Sequence, residues 1–468
     1  MTSIKCTFST CLRIFRRVLS KPRNLGVGSV RLILLQMSLP AIGMMFFNAL
    51  FFLVDTIFVS WLGELATAAV SLTFPTIIVL NALIEGVAGG ITALAGQSLG
   101  RGETARARRV ALSGLSLGYV LSLMMLPMLF PGVSAAVFER LGAAGNPQVL
   151  EMCYAYNLWL PLMAPIITYI TVANCIFRLQ GDTVTPLICM GIANLVNGIL
   201  DPVFIFTFGW GIGGAAAATF VGRAFALLYV HRKMSRDVNP SLSLPLLPPL
   251  RPGLLRYWRP TIAIGFPVAL SFGSAAFGFG AVNRILASFG HYAVAAWMLS
   301  IRIEDFYFTI AMGVGSALTP FLAFNYGRRD FGRMKEGLKA ALWIAGVLMV
   351  TAGAFLFIFP RSFFGLFRPS VRVMDLAVRS LRVSLMAFPA VILQIMLNAS
   401  FVATGYSFLG TAVQLMRSVV GRIPTAYFFA WWLGEQGVWW FQPISWALGT
   451  CVALACFVYL KKKIRFDG

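Results

Sequence analysis

Charge is scarce in this 468-residue chain. Asp, Glu, Lys and Arg together make up 12% of it, against about 25% in soluble domains, which excludes an ordinary water-soluble fold. Acids are scarcer still, 16 against 38 Lys and Arg. Histidine occurs only at His231 and His291, far apart, so a His-rich metal centre is excluded. The seven cysteines form no Cys-x-x-Cys pair, and Cys153, Cys175, Cys189, Cys451 and Cys456 lie in or beside apolar segments. Neither a disulfide framework nor a zinc site is supported. No nucleophile–base pair stands out, so a membrane-embedded enzyme is disfavoured and no cofactor is implied.

What is abundant is apolar surface: 59% of residues are hydrophobic and the mean hydropathy is +0.81. Apolar windows near twenty residues long recur, the length that spans a hydrocarbon core. The expected fold is an all-α polytopic membrane protein with twelve transmembrane helices, at 32–58, 68–97, 110–131, 150–176, 184–208, 212–232, 261–287, 292–322, 336–359, 377–403, 408–431 and 437–460. The net charge of +22 would suit nucleic acid, but the basic residues cluster at the ends of apolar segments, as the positive-inside rule requires of a membrane protein. That rule places both termini in the cytoplasm, and a bacterial inner membrane is the expected location. Arg361, Arg368, Arg372, Arg379 and Arg382 break the pattern, because they fall on or near the outer side.

The longest polar connection lies at the midpoint. Its Pro-rich run, Leu244-Pro-Leu-Leu-Pro-Pro-Leu-Arg-Pro252, cannot continue a helix and reads as a linker. The expected organisation is a basic tail over 1–30, an N-lobe over 31–232, a cytoplasmic linker over 233–260, a C-lobe over 261–460 and a second basic tail over 461–468. The halves resemble each other. A shift of 227 residues matches Pro40 with Pro267, Gly63 with Gly290, Gly86 with Gly313, Gly100-Arg101 with Gly327-Arg328 and Arg106 with Arg333. Over 40–108 it gives fourteen identities in sixty-nine positions, with turn glycines and loop arginines in register. Each half has an even number of spans, so the repeats are parallel.

The acids do not follow this symmetry. Asp55, in the apolar run Phe51 to Phe58, pairs with Val282, and Glu85 pairs with Met312. A carboxylate at mid-bilayer is disfavoured by about 3 kcal/mol on insertion scales and marks an ion or proton site by default. In the fifth span, Asn194, Asn197 and Asp201 are spaced i, i+3, i+7 on one helical face. Asn197 and Asp201 are one turn apart, so their oxygens can converge on a single cation or share a proton. Thr219 on the sixth span can add a hydroxyl, and Asp55 a second carboxylate if the first span packs on the fifth. The bland alternative is that each Asp merely cross-links helices. In the second repeat the element matching Asn197 to Pro202 reads Gly421-Arg-Ile-Pro-Thr-Ala426, without an acid.

Pro40 lies fifteen residues before Asp55 on the same helix and removes one backbone bond, permitting a hinge or a static kink. Asn48, Phe51, Asn174 and Asn194 are candidates for cavity lining. Glu85 is a secondary candidate that either faces the cavity or approaches the cytoplasmic end. Glu304 and Asp305 follow Arg302; that cluster either neutralises itself or forms a second coupling site, with Arg284, Arg417 and Arg422 as possible partners.

These motifs carry a family resemblance. Leu39-Pro40, Val54-Asp-Thr-Ile-Phe-Val-Ser-Trp-Leu-Gly63, Gly100-Arg-Gly102, Gln180-Gly-Asp-Thr-Val-Thr-Pro186, Asn194 to Pro202, Gly211-Ile-Gly-Gly-Ala-Ala-Ala-Ala-Thr219, Phe289-Gly290 and Asn325-Tyr-Gly327 occur in order from about residue 30 to 460. The chain resembles the multidrug and toxic compound extrusion (MATE) transporters, in particular their DinF-like branch. The resemblance implies two six-helix bundles in a V, alternating access by rocking, and export of amphiphilic or cationic compounds against inward H+ or Na+. It also implies a coupling site of Asp55, Asn197, Asp201 and Thr219, with a bend at Pro40. The NorM-like branch places acids on the seventh and tenth helices; neither span here has one, which favours coupling in the N-lobe. No metal is expected beyond Na+ at that site. The expected partners are small amphiphilic substrates and the lipid bilayer, with the protein a monomer. The runner-up is a flippase for lipid-linked saccharides or phospholipid, whose phosphate would need Arg284, Arg302, Arg417 or Arg422.

Overall fold

A computed structural model describes residues 24–248 and 252–464. Most of the expected N-terminal tail, residues 249–251 of the linker and the end of the C-terminal tail lie outside the described residues. Among those described, the secondary structure is helical with no strand. We label the principal helices α1 (Val30–Ser60), α2 (Glu64–Gly100), α3 (Thr104–Leu123), α4 (Trp159–Leu179), α5 (Val184–Pro202), α6 (Gly211–Arg236) and α7 (Trp258–Ala287). They continue with α8 (His291–Gly327), α9 (Phe331–Ile358), α10 (Val371–Leu385), α11 (Phe388–Thr404), α12 (Ser407–Leu415), α13 (Arg422–Leu433) and α14 (Phe441–Ile464). Ten described helical segments are long and apolar enough to cross a bilayer, eleven if the bent pair α10–α11 is one span. The chain is an all-α polytopic membrane protein, because only structures that satisfy their own backbone can cross lipid.

Two expected spans take a different form. The one at 377–403 begins inside α10, which meets α11 at an angle of 52°. The arginines that strained the positive-inside rule sit on and beside α10, and three of the five have partners within their own unit: Arg361 Nη2 reaches Asp375 Oδ1 at 2.8 Å, and Arg372 and Arg382 lie over the rings of Tyr292 and Phe357. The span at 408–431 is helical over 407–433 but in three pieces, α12, a π-helical turn at Met416–Gly421, and α13. Arg417 and Arg422 lie within it, which lowers its hydropathy.

The repeat is visible in the helix ends. Shifted by 227, α2 falls on α8 residue for residue, both 37 long, and Thr104 at the start of α3 falls on Phe331 at the start of α9. Both α2 and α8 begin after a glycine in a conformation closed to side chains, Gly63 at φ 102°, ψ 179° and Gly290 at φ 103°, ψ 172°. That region is essentially restricted to glycine.

The structure divides into two compact units. Among the described residues, one comprises Gly43–Phe266; the other comprises Leu25–Ile42 and residues 267–464. The division falls inside α1 and α7, next to the matched prolines Pro40 and Pro267, rather than in the polar connection. That connection is also less free than its composition suggests. α6 runs on to Arg236, and Val238, Leu242 and Leu244 are buried. The hydroxyls of Tyr169, Tyr119 and Ser113 donate to the carbonyls of Leu244, Leu246 and Leu254 at 3.1, 2.7 and 2.7 Å. Side-chain hydroxyls thus supply donors to a segment that lacks the donors of a regular helix.

Within the N-terminal unit, close approach rests on small residues, since lipid supplies no hydrophobic drive between helices. Ala215, Ala216, Ala217 and Ala218 are all buried on α6. In the other unit the core gathers on α8, where a Cβ at Gly313 would meet Ile42 Cα at 2.7 Å.

Gly63→Ala and Gly290→Ala are each expected to cost about 1–3 kcal/mol. The two should lower the midpoint of thermal unfolding in detergent by similar amounts. A loss confined to one would show that the matched caps are not equivalent.

Candidate functional site

α5 starts rigidly. Asp182 Oδ1 accepts from the backbone N–H of Val184 and of Thr185, both at 2.9 Å, which fixes the first turn. Three turns further on, the helix presents Asn194, Asn197 and Asp201 inward while Leu195 and Ile199 on the other side are exposed. α6 packs directly against this face. A Cβ at Gly222 would lie 2.5 Å from the carbonyl oxygen of Ala193 and 3.3 Å from the backbone nitrogen of Asn197, so only glycine admits this approach.

The approach assembles a hydrogen-bonded cluster. Asn197 Nδ2 donates to Asp201 Oδ1 at 3.0 Å and to Thr219 Oγ1 at 3.2 Å, while the Thr219 hydroxyl donates to the Ala215 carbonyl at 3.1 Å. Both amide protons of Asn197 are therefore used, and the hydroxyl is turned away from the acid. Asp201 is 0% exposed and Asp55 8%. Among the described residues, Asp201 Oδ2 and Asp55 Oδ1 are buried with no hydrogen-bond partner. The charges of the two acids act on each other. Directly after Asp201, Pro202 lacks the N–H that would continue the ladder, and the chain widens into a π-helical turn at Val203–Thr207. Such turns are frequent at functional sites.

α1 joins the same neighbourhood. The Asn194 side chain donates to the Phe47 carbonyl of α1 at 2.6 Å, leaving Asn194 Oδ1 without a partner among the described residues. Asn48 is half-buried on α1, and Phe51 lies edge-on to Phe52 at 5.5 Å. Asn174 stands apart, beside Cys189. Pro40 is buried in α1, two residues before the helix passes from one unit to the other. The sequence gives no short motif for Tyr156, whose ring lies in the field of both Asp55 and Asp201. Its only signal is that Tyr156-Asn157 is a polar pair inside an apolar stretch.

The secondary candidates separate. Glu85 is exposed on its unit's surface, with Arg178 as its electrostatic partner. The Arg302–Glu304–Asp305 cluster does not neutralise itself as a whole. Arg302 and Asp305 are exposed and act on each other. Glu304 points the other way, 3% exposed, and accepts from Ser300 Oγ at 3.1 Å and Gln442 Nε2 at 3.0 Å. Successive helical positions face different directions, and adjacency in sequence hid that split. No group of three or more His, Cys, Asp or Glu with metal-binding proximity occurs among the described residues.

A family profile, MatE, matches residues 40–203 and 267–428, once in each half. The chain belongs to the MatE family. It is 28% identical to the FAD transporter of Shewanella oneidensis over 449 residues, covering 92% of this chain and 94% of that protein. It is 26% identical to the multidrug export protein MepA of Staphylococcus aureus over 407 residues, 86% of this chain and 87% of that one. A solved structure of a multidrug resistance MATE transporter of the MOP superfamily, in an outward-facing conformation, superposes with a TM-score of 0.86 at 25% identity, over 95% of this chain and 99% of that one. This MatE-family chain is a membrane transporter rather than an enzyme.

The α5–α6 contact generates a prediction with an internal control. Alanine gains about 1 kcal/mol over glycine in a helix interior, but overpacking costs about 1–3 kcal/mol. Gly222→Ala must displace backbone and should lower thermal stability. Gly198→Ala, with nothing within 4 Å of its Cβ, should be neutral or stabilising. Equal effects would show that α6 does not need the close approach.

Proposed function

We propose that the chain is a secondary antiporter that exports amphiphilic or cationic compounds by alternating access, coupled to inward H+ or Na+ at Asp55, Asn197, Asp201 and Thr219. The observation that carries this is the pair of buried carboxylate oxygens, Asp201 Oδ2 and Asp55 Oδ1, that lack a donor. Every N–H of the neighbouring amide is spent elsewhere, on Asp201 Oδ1 and Thr219. A buried acceptor left unsatisfied is unfavourable by about 1–3 kcal/mol, more when charged, and a proton or a hard cation relieves it. Oxygen donors of this kind suit either ion.

The mechanism follows from that deficit. With an ion bound, the two acids no longer repel, and α1 and α5 settle together through the Asn194–Phe47 hydrogen bond. When the ion leaves, the like charges favour separation of α1 from α5. Pro40 gives α1 a point at which to yield, so ion occupancy biases the conformation that holds substrate. A ligand shifts such an equilibrium only by its differential affinity for the two states. The relative named for multidrug export supports export as the direction of transport.

The test is dye or drug efflux from proteoliposomes under an imposed pH gradient or an imposed Na+ gradient. Asp201→Asn and Asp55→Asn should each reduce gradient-driven efflux by roughly five- to 150-fold, the range of a coupling free energy of about 1–3 kcal/mol. The wild-type protein should respond to one of the two gradients. Undiminished efflux in both variants would refute the coupling site.

A further inference from the structure

The C-terminal unit buries two arginines where its repeat partner buries an acid. Arg417 is 7% exposed and Arg422 8%, whereas Arg284 and Arg302 are exposed. Arg417 lies in the π-helical turn at Met416–Gly421, and Arg422 opens α13 directly after it. Arg422 has a counter-charge: its Nη2 donates to Gln442 Oε1 at 3.4 Å, Gln442 in turn donates to Glu304, and the Glu304 charge acts on it. Arg417 has none among the described residues. Its guanidinium stacks 4.0 Å from the centre of the Trp446 ring, and its Nε donates to Gln414 Oε1 at 3.4 Å. The charge that acts on it is that of Arg422, of the same sign.

A cation–π contact and one long hydrogen bond offset only part of the cost of taking a guanidinium out of water. The cluster holds one positive charge in excess. Its open hydrogen-bonding capacity is also mainly of one kind. Arg422 Nε and Trp446 Nε1 are both more than nine-tenths buried and have no acceptor among the described residues; both atoms are donors only. One orphaned acceptor, Gln394 Oε1, lies on the Gly449 side, near the Arg417 Cβ. The missing group is therefore an acceptor that carries negative charge.

We propose that Arg417, Arg422 and Trp446 form a binding site for an anionic group, a phosphate or carboxylate, on the compound the protein transports. Guanidinium donors match the oxygens of such groups in pairs. The N-terminal unit, with its acids, and the C-terminal unit, with its arginines, then present opposite polarity on matched elements. That the anion is cargo rests on the transport reading above; that it binds does not.

The test uses the purified full chain in nanodiscs, with binding read as the concentration dependence of the unfolding midpoint, so that an altered baseline in a variant does not matter. The probes are inorganic phosphate and adenosine monophosphate in phosphatidylcholine discs, and discs containing phosphatidylglycerol without added phosphate compound. A saturable shift with a soluble probe is expected, weakened at least about tenfold in Arg417→Gln and less in Arg417→Lys. A shift seen only with phosphatidylglycerol, and lost in Arg417→Gln, supports the site and assigns the anion to a lipid headgroup. No shift with any probe, or equal shifts in wild type and Arg417→Gln, overturns it. Asp201→Asn should bind the anion as wild type does. Loss of its gradient-driven efflux concerns the coupling site alone, so the two readings fail separately.

Discussion

Moving a charge from water into hydrocarbon costs several kcal/mol, and that constraint sorts nearly everything informative in this transporter. Charges at helix ends and on the amphipathic α10 meet water or a partner. Those held inside the helical units are few, and they gather in two places. Asp55 and Asp201 share the first with Asn197, Thr219 and Tyr156; Glu304, Arg417 and Arg422 share the second with Gln442 and Trp446. In each, ordinary side-chain hydrogen bonds satisfy some of the polar atoms and leave others open. A purely structural cross-link would be expected to close its own network, since a half-satisfied buried network is worse than an apolar one. The open atoms are acceptors in the first place and chiefly donors in the second.

Backbone geometry allows these clusters to form. Gly222 lets α6 lie on α5, and the alanine run before Thr219 keeps the approach close along the helix. Pro202 and the π-helical turn after it interrupt the regular ladder beside Asp201, and a second π-helical turn carries Arg417. The two regions thus pair an irregular backbone with a buried charge, an arrangement tolerated at membrane depth only where protein or a wet cavity supplies the missing partners. The same economy of contacts governs α1 and α7, which pass from one compact unit to the other beside matched prolines.

Much of this was legible in the sequence because it is local or periodic. Helix ends followed from Gly63, Gly290 and the arginines after Gly100 and Gly327, and the 227-residue shift reproduces the bounds of α2 and α8. That Asn197 and Asp201 meet followed from their one-turn spacing, but the amide turns its N–H to the carboxylate instead of converging on it with its oxygen. What could not be read is what depends on direction or on distant contact. Glu304 and Asp305 are neighbours in sequence that face different surroundings. Tyr156 enters the site only because its helix, Pro147–Asn157, packs on α2 and α6. The Pro-rich connection reads as a free linker, yet Tyr169, Tyr119 and Ser113 hold it, through hydroxyls more than seventy positions away in the chain. Composition reports what a segment cannot do alone; it does not report which side chains will receive it.

The central claim is that the open oxygens of Asp55 and Asp201 bind the ion that drives transport. Direct ion binding to the purified protein tests it without requiring any substrate. Radiolabelled Na+ binding, together with proton release or uptake in weakly buffered detergent solution, should show one of the two ions taken up by wild type and lost in the Asp55→Asn, Asp201→Asn double variant. An unchanged ion uptake in that variant would contradict the account.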